Sequence, residues 1–293
     1  MNSHDAAAAV DRLWPDRGAG YAPLEGGITN HNFKVEVDGQ TFVLRIGGAR
    51  TGLLGIDRRA EYEAGLRAAE VGVGPEVAGF FEAEGWLVTR FIDGRPIPPD
   101  VMRRPETIRR VAGALRKFHD AAPIPGRFDA HAVVEEYRRE AERHGVDIPR
   151  AYASAHSTSE RIGRARGPQA PSPCHNDLLN ANFLDDGAIR IVDWEYAGMG
   201  DRFFDLANLS VNHEFGGAED EALLEAYFGE PTSARVAALG MMKFMSDFRE
   251  AMWGVLQSGI SELDFDFDGY ASKHFERMEL TAGGADFSRH LRP

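Results

Sequence analysis

The stretch SPCHNDLLNANFLDDGAIRIVDWEYAG, from Ser172 to Gly198, constrains this chain more than any other. Two short apolar runs, NFL and IRIV, flank Asp185-Asp186-Gly187, a strong turn signal, so the segment reads as a loop running into a β-hairpin. Asp177 and Asn182 stand at the two ends of the tight loop. Asp193, at the end of the return strand, is carried back beside them. Polar groups gathered among apolar strands need partners or a purpose. Each Asx residue alone is an ordinary turn former. Asp193, sixteen residues after Asp177, adds more than turn chemistry requires.

The residue types suit one chemistry. An amide oxygen and a carboxylate, Asn182 and Asp193, are hard oxygen ligands of the kind Mg²⁺ takes while keeping water and phosphate oxygens. The remaining carboxylate, Asp177, is free to accept or orient a hydroxyl proton. That is the layout of phosphoryl transfer, in which catalysis is mostly positioning and charge stabilisation. A metal hydrolase built on His175, Asp177 and Asp193 lacks a second histidine at ligand spacing.

Upstream the pattern is β-like. FKVEV and TFVLRIG alternate around Asp38-Gly39, a hairpin turn. Phe42, Leu44 and Ile46 share one face of the second strand, and Thr41, Val43 and Arg45 the other. Asp57 caps a helix carrying Tyr62, Leu66 and Ala69, which Gly72 to Pro75 ends. FFEAEGWLVTRFIDGRPI gives two more strands and a turn. Gly26-Gly27, followed by Thr29 and Asn30, precedes the first hairpin. A glycine turn there brings backbone N–H groups close to phosphates. Arg45 is then either a surface arginine on a half-exposed sheet or a group that reaches the same phosphates with Glu61 on the helix to hold it; such a pair is less costly to bury than a lone charge.

Past Phe91 to Pro96 the pattern turns helical. PETIRRVAGALRKFHDA places Ile108, Val111, Ala112, Leu115 and Phe118 on one side, with His119 at its end in a structural role. AHAVVEEYRREAERHG and SAHSTSERIGRARG read as solvated helices or loops. The Met and Phe stripe of ARVAALGMMKFMSDFREAMWGVLQSG reads as core. The expectation is an α+β, two-lobed protein with a cleft: residues 1–91 a small antiparallel β lobe that binds nucleotide, residues 92–293 a larger helical lobe for catalysis and substrate.

Composition narrows the partners. A net charge of −13 repels phosphate backbones, which argues against nucleic acid and suits a cationic small molecule. A single cysteine, Cys174, forbids an internal disulfide. With no signal-like start and no apolar run of membrane-spanning length, the expectation is a cytoplasmic protein without a membrane span.

In order, GGITNHNFKV, FVLRIGG, EYEAGLRAAEVGVGPEV, LRKFHD, CHNDLLNANFL, IVDWEYAGMGDRFFDLANL and AMWGVLQSGISELDFDFDGYASKHFE span about Tyr21 to Met278. This series resembles the choline/ethanolamine kinase branch of the aminoglycoside-phosphotransferase-like kinases, which share the protein-kinase fold. The resemblance implies ATP as co-substrate and Mg²⁺ as metal. It implies Asp177 as the catalytic aspartate, Asn182 and Asp193 as Mg²⁺ ligands, and Arg45 with Glu61 as the phosphate-binding pair. Gly26, Gly27, Thr29 and Asn30 match the loop over the phosphates. Thr89, Arg90, Phe91 and Ile92 match the hinge that holds adenine. His175 and Asp205 match residues bracing the catalytic loop, and Glu195 supports the metal site or the loop. Trp253 and Tyr270 match aromatic positions of the amine pocket. The family's second pocket tryptophan is Leu256 here. Its pocket glutamate falls on Asn212, with Glu214 two residues on as the nearest carboxylate. The implied activity is phosphorylation of a small amino alcohol, choline or ethanolamine. The alternatives are thiamine or an aminoglycoside or sugar-like alcohol as acceptor, or a catalytically silent nucleotide-binding module.

Overall fold

The computed structural model describes residues 3–24, 30–48 and 50–291. Helix α1 (Ser3–Leu13) leads into a five-stranded antiparallel sheet of β1 (Gly20–Leu24), β2 (Asn30–Val37), β3 (Gln40–Gly47), β4 (Val77–Phe81) and β5 (Trp86–Arg90), in the order β1-β2-β3-β5-β4. Helix α2 (Arg58–Glu70) lies between β3 and β4 in sequence. Asp38 and Gly39 both take positive φ, 50° and 71°, and close the β2–β3 hairpin with Val37 opposite Gln40. Phe42, Leu44 and Ile46 pack with Val35, Val37 and Val88 against Ala9 and Val10 of α1. Alternation therefore predicts this face correctly. Helix α1 itself was not expected, although Ala6, Ala9 and Val10 recur at helical spacing and are buried.

The remainder is mostly helical. Strand β6 (Arg95–Pro96) precedes α3 (Pro99–Met102), α4 (Pro105–His119), α5 (Ala130–Arg143) and α6 (Ala151–Arg166). Then come β7 (Ser172–Cys174), β8 (Phe183–Asp185), β9 (Ile189–Ile191) and β10 (Gly198–Gly200). The chain continues through α7 (Arg202–Asn212), α8 (Gly217–Phe228), α9 (Ser233–Ile260), α10 (Phe267–Gly283) and α11 (Phe287–His290). Strands β6, β8 and β9 form one small antiparallel sheet, and β7 pairs with β10. The apolar face of α4 is buried as its periodicity requires. Helices α5 and α6 are not merely solvated: they bury Val134, Tyr137 and Ala141, and Ala155 and Ile162.

Helix α9, 28 residues long, runs through the core and packs against α5, α7 and α10. At Gly254 a Cβ would stand 3.1 Å from the Phe267 carbonyl oxygen, the Ala271 Cβ and the Tyr270 ring. That glycine lets α10 approach closely and sets Tyr270 beside Trp253. Among the described residues, no helix is long and apolar enough to cross a membrane.

Candidate active site

The segment after β7 is built on buried side chains. Asn176 adopts φ 67°, and its Nδ2 donates to the carbonyls of Cys174 and Tyr196. Asp205, on the first turn of α7 and fully buried, accepts the backbone N–H of His175 at Oδ2 and of Asn176 at Oδ1, both at 2.7 Å. His119 Nε2 lies 2.9 Å from the same carboxylate, and its Nδ1 meets the Tyr227 hydroxyl. Two residues beyond Asn176, the Leu178 N–H donates to Asn208 Oδ1. His175 spans the loop: Asp177 N–H donates to its Nδ1 at 3.2 Å, and its Nε2 meets the Val192 carbonyl at 3.0 Å. Burial lowers its pKa, so it works as a neutral brace. Replacing Asp205 by Ala leaves two amides and an imidazole unpaired in the interior. The expected cost is about 3–5 kcal/mol, read as a lower urea midpoint with an unchanged m-value.

This scaffold brings the three central residues together. Asn182 Nδ2 donates to the Asp177 carbonyl at 2.8 Å, and the Val192 N–H donates to the Asn182 carbonyl at 3.0 Å, so the two arms of the hairpin are tied. The return strand is shorter than the alternation predicts. It ends at Ile191 because Asp193 takes φ 66°, which no strand residue can hold. That conformation costs on the order of 1 kcal/mol, and Asp193 comes to lie within the electrostatic reach of Asp177. Burial pushes Asp193 well above the usual carboxylate range, and the charges of Glu195, Glu61 and Asp177 push it further. Asp177 is pushed up to about 7 by burial, with Arg249 pulling it part of the way back. Asp193, with the charges of Glu195, Glu61 and Asp177 bearing on it, is a concentration of carboxylates that a divalent cation neutralises.

Facing them from the sheet side is a set of cations. Arg45 is buried, with Nη2 2.8 Å from Glu61 Oε2, yet none of its three nitrogens has an aligned hydrogen-bond acceptor among the described residues. Burial lowers its pKa against the pull of Glu61. A guanidinium with open donors in such a place fits phosphate oxygens. Arg58 was missed by the sequence reading. It donates to Glu61 Oε2 at 2.8 Å, to Glu195 Oε2 at 3.1 Å and to Asn30 Oδ1 at 2.8 Å. Its only signal was its place one turn before Glu61. Asn30 in turn donates to Glu195 at 2.8 Å, so Glu195 links the catalytic hairpin to β2 and α2. Gly26, Gly27 and Thr29 lie outside the described residues. In the hinge, Arg90 and Phe91 spend their N–H groups on the carbonyls of Glu76 and Thr41. Their side chains meet Phe42 and Lys34. Thr89 lies within β5, opposite Val43 of β3 and Val77 of β4, and Ile92 follows the end of that strand.

Helices α9 and α10 close the other side. Trp253 and Tyr270 meet edge to face at 5.5 Å. Trp253 Nε1 donates to the Tyr196 hydroxyl at 3.1 Å, and the Tyr270 hydroxyl donates to Glu250 Oε2 at 2.8 Å. The carboxylate beside the aromatic pair is therefore Glu250, not the expected Glu214. Glu214 is exposed at φ 55° in the turn after α7, where the chain must reverse; Asn212 instead reaches the Leu178 carbonyl at 3.5 Å. Leu256, in place of a second tryptophan, is fully buried. Arg249 and Glu250 carried no signal, because a charged pair inside an apolar helix reads as surface until the helix is seen to be enclosed.

A paired carboxylate and amide below open arginine donors, with an aromatic wall beside them, define a phosphotransferase site in a two-lobed, protein-kinase-like fold. The chain matches the phosphotransferase enzyme family (APH) over residues 20–239. It is similar to the crystal structure of a choline/ethanolamine kinase family protein from Mesorhizobium loti, with 34% identity, 99% of this chain and 98% of that one covered, and a TM-score of 0.85. A probable ethanolamine kinase of Arabidopsis thaliana is 25% identical over 289 residues, 84% of this chain and 75% of that protein. Protein LicA of Haemophilus influenzae is 25% identical over 211 residues, 69% of this chain and 61% of that protein's length. The chain belongs to the phosphotransferase enzyme family and, within it, to the choline/ethanolamine kinase family.

Proposed function

We propose that the chain transfers the γ-phosphoryl group of ATP to the hydroxyl of a small amino alcohol, ethanolamine or choline, with residues 1–91 serving the nucleotide and residues 92–293 the acceptor. The single observation that carries this is the convergence of Asp177, Asn182 and Asp193 beside the wall made by Trp253, Tyr270 and Glu250. An aromatic face with a carboxylate behind it suits an ammonium group. The probable ethanolamine kinase of Arabidopsis thaliana and the choline/ethanolamine kinase family protein of Mesorhizobium loti support the same acceptor class.

In this reading Asp177 accepts the hydrogen bond of the acceptor hydroxyl and orients its lone pair at the γ-phosphorus. The new bond is O–P; the bond that breaks joins phosphorus to the β–γ bridging oxygen, and ADP leaves. The hydroxyl proton passes to Asp177 and on to water. Arg45, held by Glu61, takes phosphate oxygens. Gly26, Gly27, Thr29 and Asn30 are assigned to the same oxygens, and Thr89 to Ile92 to the base. Asn182 and Asp193 would hold Mg²⁺, which supplies neutralisation of the phosphate charge. His175, Asp205 and Glu195 keep these groups in place.

The test is ADP release with Mg-ATP and a panel of ethanolamine, choline, thiamine and an aminoglycoside. Saturable turnover with ethanolamine or choline, at kcat/KM at least tenfold above the rest, is the expected result. Turnover confined to thiamine or the aminoglycoside replaces the acceptor. ATP-dependent stabilisation without turnover on any alcohol points to a silent nucleotide-binding module.

A further inference from the structure

Arg249 is almost completely enclosed, at 1% exposure. It stands on α9 one turn before Trp253. Its Nη1 donates to Glu250 Oε1 and lies 3.6 Å from Asp177 Oδ1. The guanidinium plane rests on the Tyr196 ring, 4.4 Å from its centroid. Nε and Nη2 are buried and have no hydrogen-bond acceptor among the described residues. These two nitrogens share one edge of the guanidinium, the edge that receives two parallel oxygens of a carboxylate or phosphate.

A buried donor without an acceptor costs about 1–3 kcal/mol, so an open pair of them is retained against a stability penalty. Glu250 does not compensate that edge. Its Oε1 is taken by Arg249 Nη1, and its Oε2 by the Tyr270 hydroxyl. The pair Arg249–Glu250 is nearly neutral, and what remains is two buried N–H groups without an aligned acceptor, with the Tyr137 hydroxyl as their polar neighbour.

We propose that the free Nε–Nη2 edge of Arg249 is a subsite for an oxyanion carried on the acceptor molecule, next to the hydroxyl that Asp177 orients. Two sources share this chemistry: a carboxylate already present on the amino alcohol, or the phosphate just placed on its hydroxyl. The proposal rests on the phosphotransferase reading of Asp177 for its location, while its binding chemistry is independent of turnover. Arg249 acts here as a specificity-determining residue. It selects by what the acceptor carries beyond its amine.

Calorimetric titration without nucleotide tests it on the full chain. Ethanolamine, serine and phosphoethanolamine differ only in the oxyanion they carry. Wild-type protein is expected to bind serine or phosphoethanolamine at least tenfold tighter than ethanolamine. Preference for serine identifies the carboxylate source, and preference for phosphoethanolamine the phosphate source. Arg249→Lys keeps the charge and removes the fork. It is expected to erase that preference, so that the ethanolamine, serine and phosphoethanolamine Kd values fall within threefold of one another. Equal weakening of all three ligands in Arg249→Lys, or no oxyanion preference in the wild type, overturns the proposal. Circular dichroism and the ATP-induced Tm shift report whether the variant folds; if it does not, the wild-type series alone decides. A protein that turns over no alcohol yet shows the oxyanion preference loses the kinase reading and keeps this subsite.

Discussion

Asp177→Asn is expected to lower kcat for alcohol phosphorylation by about 10²–10⁴, with ATP binding and fold preserved. The amide is isosteric, and the bond that holds the loop runs from Asn182 to the backbone carbonyl of residue 177, which the substitution leaves untouched. The backbone N–H of residue 177 keeps His175, and Asp205 keeps the two residues before it. What is lost is the acceptor for the hydroxyl proton and the negative partner 3.6 Å from Arg249. The measurement is ADP release with the best alcohol of the panel, alongside thermal shift with ATP. Activity within tenfold of wild type removes Asp177 from the mechanism.

Asp193→Asn is expected to abolish Mg-dependent turnover while making the protein more stable in EDTA. The sign follows from the crowding of charge. Burial, then Glu195, Glu61 and Asp177, raise Asp193 well above its ordinary 3.8. A carboxyl raised in the folded state binds a proton that the unfolded chain has already released. Its stabilising contribution is complete below about pH 4 and is lost as pH climbs through the raised value. The asparagine carries no such dependence. The variant should therefore match wild type near pH 4 and exceed it at pH 8, by about 1 kcal/mol on the scale of single stabilising substitutions. Mg²⁺ should raise the Tm of wild type and leave that of the variant nearly unchanged. A variant less stable than wild type at pH 8 in EDTA contradicts the electrostatic account of the cluster.

The sequence carried the hairpin chemistry because it is local. Asp177, Asn182 and Asp193 are joined by one loop and one turn, and the turn residues fix where the chain reverses. Arg45 and Glu61 were legible for a related reason: strand alternation and helix periodicity each assign a face, and the two faces meet. What was not legible is set by packing at long range. Arg58 becomes an organiser only once Glu195, 137 positions away in sequence, is folded against it. Glu250 was passed over for Glu214 because counting along the chain ignores which helix encloses the aromatic pair. Helix α1 was overlooked because alanines give a weak apolar stripe, although three of its residues are buried. The end of β9 was placed too late because the left-handed turn at Asp193 has no glycine to announce it.

Helix α9 is about 42 Å long at 1.5 Å per residue, and a rod of that length is stiff. Arg249, Glu250 and Trp253 occupy little more than one of its turns, while Met245, Phe248 and Met252 on the same stretch lock it into the interior. Selectivity and foldedness are thus written on adjacent faces of a single element. A descendant of this chain could trade one alcohol for another by exchanging two or three side chains, with no loop to rebuild. The same economy exposes it, because a misjudged exchange there disturbs the pillar on which α5, α7 and α10 lean most heavily.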